Sequence, residues 1–372
     1  MNIFGVTTSR ADYGILKPFY EKIDKSNKYN LSILVTGSHH NSKYGNTFNE
    51  IKKDKYSNII NLKTNFSDNN ISSLSQSIAS IYKDFTKYYN KYKPNLIILL
   101  GDRFELLPYA HLSVIHNIKI LHIHGGEITD GSMDNKFRNA ISALSDYHYV
   151  SNSESYKLLK RIHYINNVFN IGSMGINSIC KTKFLSKKKL SEKINFNFRK
   201  ICFLIIIHPN TFTFDTASEI KKLLNVLTNF TDASIIFISP NADQGSEIIR
   251  ENYSKFIKNN KNTVLLKSLD SLTYYSLVNN ANVVIGNSSS GIIEVPSIGT
   301  PSINLGQRQK GRLNSNSVIS SDFNKNEIIK SIKIALSRKF LNKINKSNLN
   351  PYYKKNSIQL AMKYLKDIKD QL

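Results

Sequence analysis

Short runs of β-branched and leucine residues alternate along the chain with stretches whose apolar residues recur at helical spacing. Ile3–Thr7, Leu31–Thr36, Leu96–Leu100, Lys119–His124 and Tyr147–Val150 read as strands. Between them, Ile15–Ile23, Ser73–Tyr92, Asp134–Ser145 and Ser153–Arg161 read as helices. Residues 181–200 are polar and charged with little apolar periodicity, and then the pattern restarts. Ile201–Ile207, Ala233–Ser239, Thr263–Leu266, Val283–Ile285 and Ser302–Leu305 are the next strands. Ala217–Thr228, Asp243–Phe256, Ser271–Asn279, Gly291–Ile298 and Asn326–Ser337 are the next helices, and Tyr352–Leu372 closes the chain as an amphipathic helix. Continuous apolar strands alternating with helices imply parallel sheets covered on both faces. Two such series predict an α/β protein of two doubly wound, Rossmann-type domains with a cleft between them. The expected domains are residues 1–175 and 176–354, with helix 355–372 packing back on the first. Ligands of such sheets sit outside the C-terminal ends of the strands.

Composition narrows the class. At 372 residues, with 40% apolar and 21% charged residues, the chain is long enough for two cores and is not of disordered composition. Two cysteines, Cys180 and Cys202, make no disulfide framework, and the first residues show no basic region ahead of an apolar stretch. A cytoplasmic protein without a membrane segment is expected. The balance of 51 Lys+Arg against 27 Asp+Glu gives +24, but the basic residues do not gather in one arm and no nucleic-acid motif accompanies them. The excess is read as solvated lysine, with a field that favours small anions.

Candidate chemistry falls at the strand ends. Asp102 follows Leu96–Leu100, Glu127 follows Lys119–His124, and Asp134 opens the next helix with Arg138 one turn on. Three carboxylates reaching one cleft would form a catalytic cluster. The plain alternatives are a salt bridge with Arg103 for Asp102, a turn acid for Glu127 and a helix cap for Asp134. Arg10 follows the first strand, and His208 ends the strand Ile201–Ile207, where an imidazole can donate to a phosphate or act as a base. Ser288, Ser289 and Ser290 precede a predicted helix carrying Glu294, a place for a phosphate beside an acceptor for a ribose hydroxyl. Alternation on one strand would put His122 and His124 on the same face. With Glu127 they lack a third His or Cys ligand, so no metal is expected.

The ordered motifs Ser9-Arg10-Ala11-Asp12-Tyr13-Gly14, Thr36-Gly37-Ser38-His39, Gly101-Asp102-Arg103, Gly125-Gly126-Glu127, Asp134-x-x-x-Arg138, His208-Pro209, Pro240-Asn241-Ala242-Asp243, Gly286-Asn287-Ser288-Ser289-Ser290-Gly291 and Arg308-Gln309-x-Gly311-Arg312 resemble those of the hydrolysing UDP-N-acetylglucosamine 2-epimerases. The resemblance implies a GT-B-like fold and conversion of UDP-N-acetylglucosamine and water to N-acetylmannosamine and UDP, through elimination to a 2-acetamidoglucal and its hydration, as the entry to sialic acid synthesis. It implies catalytic roles for Asp102, Glu127 and Asp134. Substrate-binding roles fall to Arg10, His39, Arg138, His208, Asn241, Ser288, Ser289, Ser290, Glu294 and Arg312. It further implies a homo-oligomer, dimer or tetramer. No cofactor is implied, because no hydride leaves the substrate. Two alternatives stand beside it: a sister activity on UDP-2,4-diacetamido-2,4,6-trideoxyglucose, leading to legionaminic acid, and a glycosyltransferase of the same architecture. Asn139, Ala143 and Asp146 replace His, a Lys-like residue and His that relatives often carry, a difference expected to bear on the sugar.

Overall fold

The computed structural model describes residues 1–40, 47–64, 71–162, 167–210, 215–240, 245–267, 269–344 and 350–372. The chain forms two compact units. Unit 1 comprises Met1–Ile128, Met133–Ser178 and Tyr352–Leu372, and unit 2 comprises Thr129–Ser132 and Ile179–Pro351.

Unit 1 holds a parallel sheet of β1 (Asn2–Thr7), β2 (Asn30–Val35), β3 (Ile59–Asn61), β4 (Leu96–Leu100), β5 (Lys119–Ile123), β6 (Tyr147–Val150) and β7 (Val168–Asn170), in the order β3-β2-β1-β4-β5-β6-β7. Strand alternation divides its core into two layers. Leu96, Ile98 and Leu100 of β4 pack with Leu16, Phe19, Tyr20 and Ile23, whereas Ile97 and Leu99 pack with Ile81, Phe85 and Tyr109. A sheet buried on both faces explains why β4 is apolar at every position. The C-terminal helix Ser357–Gln371 belongs to the first layer through Ala361, Leu365 and Ile368, and Tyr149 donates its hydroxyl to the carbonyl of Ala361 at 2.9 Å.

Unit 2 repeats the plan with β8 (Ile201–Ile206), β9 (Ala233–Ile238), β10 (Thr263–Leu266), β11 (Val283–Gly286), β12 (Ser302–Leu305) and β13 (Val318–Ser321), ordered β10-β9-β8-β11-β12-β13. Phe203 and Ile205 face one layer, and Cys202, Leu204 and Ile206 face the other. In each unit the strand order reverses beside the first strand, between β1 and β4 and between β8 and β11. That is where open parallel sheets leave a crevice for ligands. Among the described residues no helix is long and apolar enough to cross a membrane.

Several elements differ from the sequence reading. The first helix starts at Arg10 rather than Ile15, because Ser9 and Asp12 form a reciprocal capping box. Helix Leu106–Ile115 escaped the periodicity reading: it is apolar on nearly every side and offers no amphipathic stripe. Helix Lys187–Ile194 lies in the stretch read as irregular. Ser186 caps it and a single buried leucine, Leu190, anchors it. The predicted Gly291–Ile298 helix is two single turns, Ser290–Ile293 and Val295–Ile298, because Pro296 has no N–H to continue the ladder. Residues 129–132, read as part of the first domain, belong to unit 2, where Asp130 N–H donates to the Lys310 carbonyl at 3.0 Å.

Candidate active site

In unit 1 the polar groups gather at the C-terminal ends of β1, β4 and β5. The loop after β1 is organised by Asp12, whose carboxylate accepts from Thr8 N–H (2.9 Å), Thr8 Oγ1 (2.6 Å), Ser9 N–H (2.9 Å) and the Thr7 hydroxyl. Arg10, at the start of that helix, is half-buried and forms an ion pair with Glu50. His39 is not presented to a ligand. It is fully buried, with Nε2 2.9 Å from Thr7 Oγ1 and Nδ1 2.6 Å from Thr47 Oγ1. Because Thr7 gives its proton to Asp12, His39 donates through Nε2 and accepts at Nδ1, which is the neutral tautomer. Burial agrees, pushing its pKa down to about 4. His39 thus supports the β1 loop through Thr7 and Thr47.

Arg138 joins the ends of β4 and β5. It is 1% exposed; one guanidinium nitrogen donates to Asp102, and the other donates to the Glu127 carbonyl at 2.7 Å and to Asn135 Oδ1 at 3.4 Å. Asp102 therefore pairs with Arg138. Arg103 forks onto the buried Glu105, with Nη2 2.7 Å from Oε1. Arg138 joins the two acid-bearing loops and is itself out of solvent. Asp134 opens helix Asp134–Leu144 one turn before Arg138 and is half-buried.

Glu127 is buried. Its Oε1 accepts from Ser151 Oγ at 2.6 Å and lies 3.6 Å from His124 Nδ1. The turn before it is tight, with φ of 63° at His124 and 73° at Gly126. β5 ends at Ile123, so the strict alternation that would place His122 and His124 on one face does not hold. His122 lies in the core, donating through Nε2 to the Gly101 carbonyl (2.7 Å) and accepting from Ser142 Oγ (3.0 Å). Burial pushes its pKa down to about 3. Among the described residues no group of three or more His, Cys, Asp or Glu is arranged to hold a metal ion.

The three departures from the familiar pattern lie elsewhere. Asp146 follows helix Asp134–Leu144 and sits at the N-terminal edge of the sheet. It accepts from Ile120 N–H and Lys119 Nζ, both at 2.9 Å. Asn139 and Ala143 are exposed on the helix. The difference at Asp146 serves the opposite sheet edge, and none of the three lies among the contacts that join Asp102, Glu127 and Arg138.

In unit 2, Asn287 ties the ends of β8 and β11 together. His208 N–H donates to Asn287 Oδ1 (2.7 Å), and Asn287 Nδ2 donates back to the His208 carbonyl (2.8 Å). Arg308 and Gln309 both donate to the Asn287 carbonyl, at 3.3 and 3.0 Å. The half-buried Ser288, Ser289 and Ser290 follow. Ser290 is engaged internally, its Oγ 2.6 Å from the Tyr274 hydroxyl. Glu294 sits where the two short turns meet. Burial raises its pKa, while hydrogen bonds from Ser290 and Tyr275 and the charge of Arg312 pull it back. Asn241 lies outside the described residues. Sequence reasoning missed Ser151, Tyr274, Tyr275 and the tie through Asn287. Only Asn287 carried a signal, its place in the Gly286–Gly291 motif.

The family described as UDP-N-acetylglucosamine 2-epimerase matches residues 21–366. The chain is 34% identical, over 98% of its length and 93% of the relative, to polysialic acid biosynthesis protein P7 of Escherichia coli. It is 36% identical, over 86% of its length and 84% of the relative, to the GDP/UDP-N,N'-diacetylbacillosamine 2-epimerase (hydrolyzing) of Campylobacter jejuni subsp. jejuni serotype O:2. Its fold superposes with a TM-score of 0.82 on the UDP-GlcNAc 2-epimerase of Neisseria meningitidis solved with UDP-GlcNAc, at 17% identity, covering 99% of this chain and 100% of that one. These matches displace the glycosyltransferase alternative. With two Rossmann-ordered sheets, acids at the ends of β4 and β5 and the family match over most of its length, the chain belongs to the UDP-N-acetylglucosamine 2-epimerase family of enzymes.

Proposed function

We propose that this enzyme is a hydrolysing UDP-N-acetylglucosamine 2-epimerase, releasing UDP and N-acetylmannosamine. The observation that carries the reading is the joining of Asp102 to the Glu127 loop through the buried Arg138. It sets acids at the strand ends of a family fold whose reaction needs them.

The hydrogen at sugar C2 has no adjacent carbonyl and is not acidic. Departure of UDP from C1 gives that carbon oxocarbenium character and acidifies C2–H. The C2–H electron pair then becomes the C1–C2 π bond, and the C1–O pair leaves with the diphosphate. Hydration returns a proton to C2 from the opposite face and places the hydroxyl of water on C1. In unit 1, Asp102, Glu127 and Asp134 serve this proton transfer and the positive charge at C1. In unit 2, His208, Ser288 and Ser289 serve the diphosphate, and Glu294 the ribose. Arg10 is assigned to the leaving diphosphate, and Arg312 to the charge balance of Glu294.

A second reading, the same reaction on UDP-2,4-diacetamido-2,4,6-trideoxyglucose, is favoured by the 36% identity to the diacetylbacillosamine enzyme. Incubation of each nucleotide sugar in heavy water tests both, with UDP and free sugar followed by NMR. The main reading requires UDP release without an acceptor and deuterium at C2 of the product from UDP-N-acetylglucosamine. Turnover of the trideoxy substrate alone moves the assignment to the second reading, and unlabelled C2 defeats the elimination. A cytoplasmic homo-oligomer is proposed with it. Val114 and Ile115 are 50% and 62% exposed on helix Leu106–Ile115, an apolar face suited to a second copy, and light scattering reads the mass.

A further inference from the structure

β6 lies beside β5 in the sheet, so the residues that follow its end at Val150 meet the turn that carries Glu127. That turn rests on helix Ser153–Ile162. A Cβ on Gly126 would sit 2.8 Å from the Ser155 carbonyl oxygen and 2.8 Å from Leu159 Cγ. Ser151 and Asn152 fill the joint between strand and helix, and both are buried. Asn152 has the ordinary task of a helix cap: its Oδ1 accepts from Ser155 N–H at 2.9 Å. That bond also settles which end of the amide is which, because a backbone N–H can only donate. Asn152 Nδ2 is then turned to Ser151 Oγ, 3.0 Å away, and donates to it. A serine hydroxyl has one hydrogen. With Asn152 supplying a donor, that hydrogen goes to Glu127 Oε1 at 2.6 Å. The three residues thus form a chain of hydrogen bonds that runs one way, from the helix cap to the carboxylate. Capping needs no such ending. A hydroxyl with no exposed surface, spent on a buried carboxylate, holds that carboxylate in place as an acceptor.

We infer that Ser151 is a positioning residue for the reaction: steered by Asn152, it gives its hydroxyl hydrogen to Glu127 and fixes the angle at which that carboxylate is held. The inference rests on the hydrolysing epimerase reading, in which Glu127 serves the proton transfer at sugar C2, and adds what aims it. Ser151 has no exposed surface and acts at one remove from the sugar. The last torsion of a glutamate side chain is broad and does not hold its carboxylate at one angle by itself. The bond to Ser151 fixes that torsion. Without it the carboxylate stays in its turn, but the productive angle is one among several, and the proton transfer slows while binding of the nucleotide sugar does not change.

The test uses the full chain and the variants S151A, N152D and S151A/N152D, assayed by UDP release from whichever of the two candidate nucleotide sugars the wild type turns over. S151A deletes one oxygen. N152D keeps a cap, since aspartate serves there as well as asparagine, but replaces the steering donor by a second acceptor that competes for the Ser151 hydrogen. Expected for S151A is a fall in kcat of about tenfold or more, the effect of one hydrogen bond to a charged group, with KM held within about threefold. N152D should fall by about the same factor. The double variant should be no slower than S151A, because once the hydroxyl is gone its direction has no effect. S151A or N152D at wild-type kcat, a loss confined to KM, or losses that multiply in the double variant each overturn the inference and leave the epimerase reading standing. Wild-type protein that releases UDP from neither UDP-N-acetylglucosamine nor its diacetamido-trideoxy counterpart removes that reading, and the role of Ser151 falls with it.

Discussion

Replacing Arg138 by methionine removes the guanidinium that spans Asp102 and the Glu127 carbonyl while keeping most of the aliphatic volume. Breaking a buried ion pair by removing one partner costs about 3–5 kcal/mol. Asp102 keeps 26% of its side-chain surface, so water offsets part of that cost and the lower end applies. Loss of the donor to the Glu127 carbonyl adds about 1 kcal/mol or more. Unit 1 is expected to lose about 4 kcal/mol, and turnover to fall about 10²-fold or more because both acid-bearing loops move. Native-state hydrogen exchange of the β4 and β5 amides reads unit 1 separately from unit 2. D102N and the double variant R138M/D102N complete a cycle. Since the methionine variant suffers mainly from a stranded carboxylate, neutralising that carboxylate should recover about 1 kcal/mol or more, leaving the double variant less damaged than the sum of the singles. Strict additivity, or an R138M cost below about 1 kcal/mol, would refute the claim that Arg138 binds these loops together.

Stability should fall in mild acid. The folded-state pKa values of His39 and His122, about 4 and about 3, lie below the unfolded value. The unfolded chain therefore binds the extra protons as pH drops below about 6.5, and each residue costs about 2 kcal/mol by pH 5 relative to pH 8. Urea titrations should show this slope, and H122N should flatten it; a stability independent of pH over that range contradicts the neutral burial. Gly286→Ala should disrupt unit 2 by more than about 3 kcal/mol, because a Cβ there would sit 1.9 Å from the Ile206 carbonyl oxygen; near-normal melting would show that β8 and β11 are not so tightly joined. Glu294→Gln keeps shape and removes charge beside Ser290, Tyr275 and Arg312. UDP affinity should weaken about tenfold, and an unchanged Kd excludes the ribose assignment. Asn139→His should leave the ratio of turnover on the two candidate nucleotide sugars unchanged, because residue 139 is an exposed helix position; a shifted ratio would restore it as a specificity residue.

Much of the architecture was written in the sequence, because strands buried on both faces must be apolar at every position, as Leu96–Leu100 and Ile201–Ile206 are. The same periodicity lost helix Leu106–Ile115, which has no polar face to reveal its turn, and the short strands β3, β7 and β13, which carry too few residues to show a period. Asp102, Glu127, Asp134 and the serines after β11 were legible as polar residues at strand ends. Their partners were not. That Asp102 meets Arg138, that His39 and His122 turn inward as neutral imidazoles, and that His124 adopts left-handed backbone against Glu127 all depend on which loops the sheet order makes neighbours. Local sequence sets the side chain's chemistry and the period of its element; only the folded sheet sets its depth, its partner and hence its charge state.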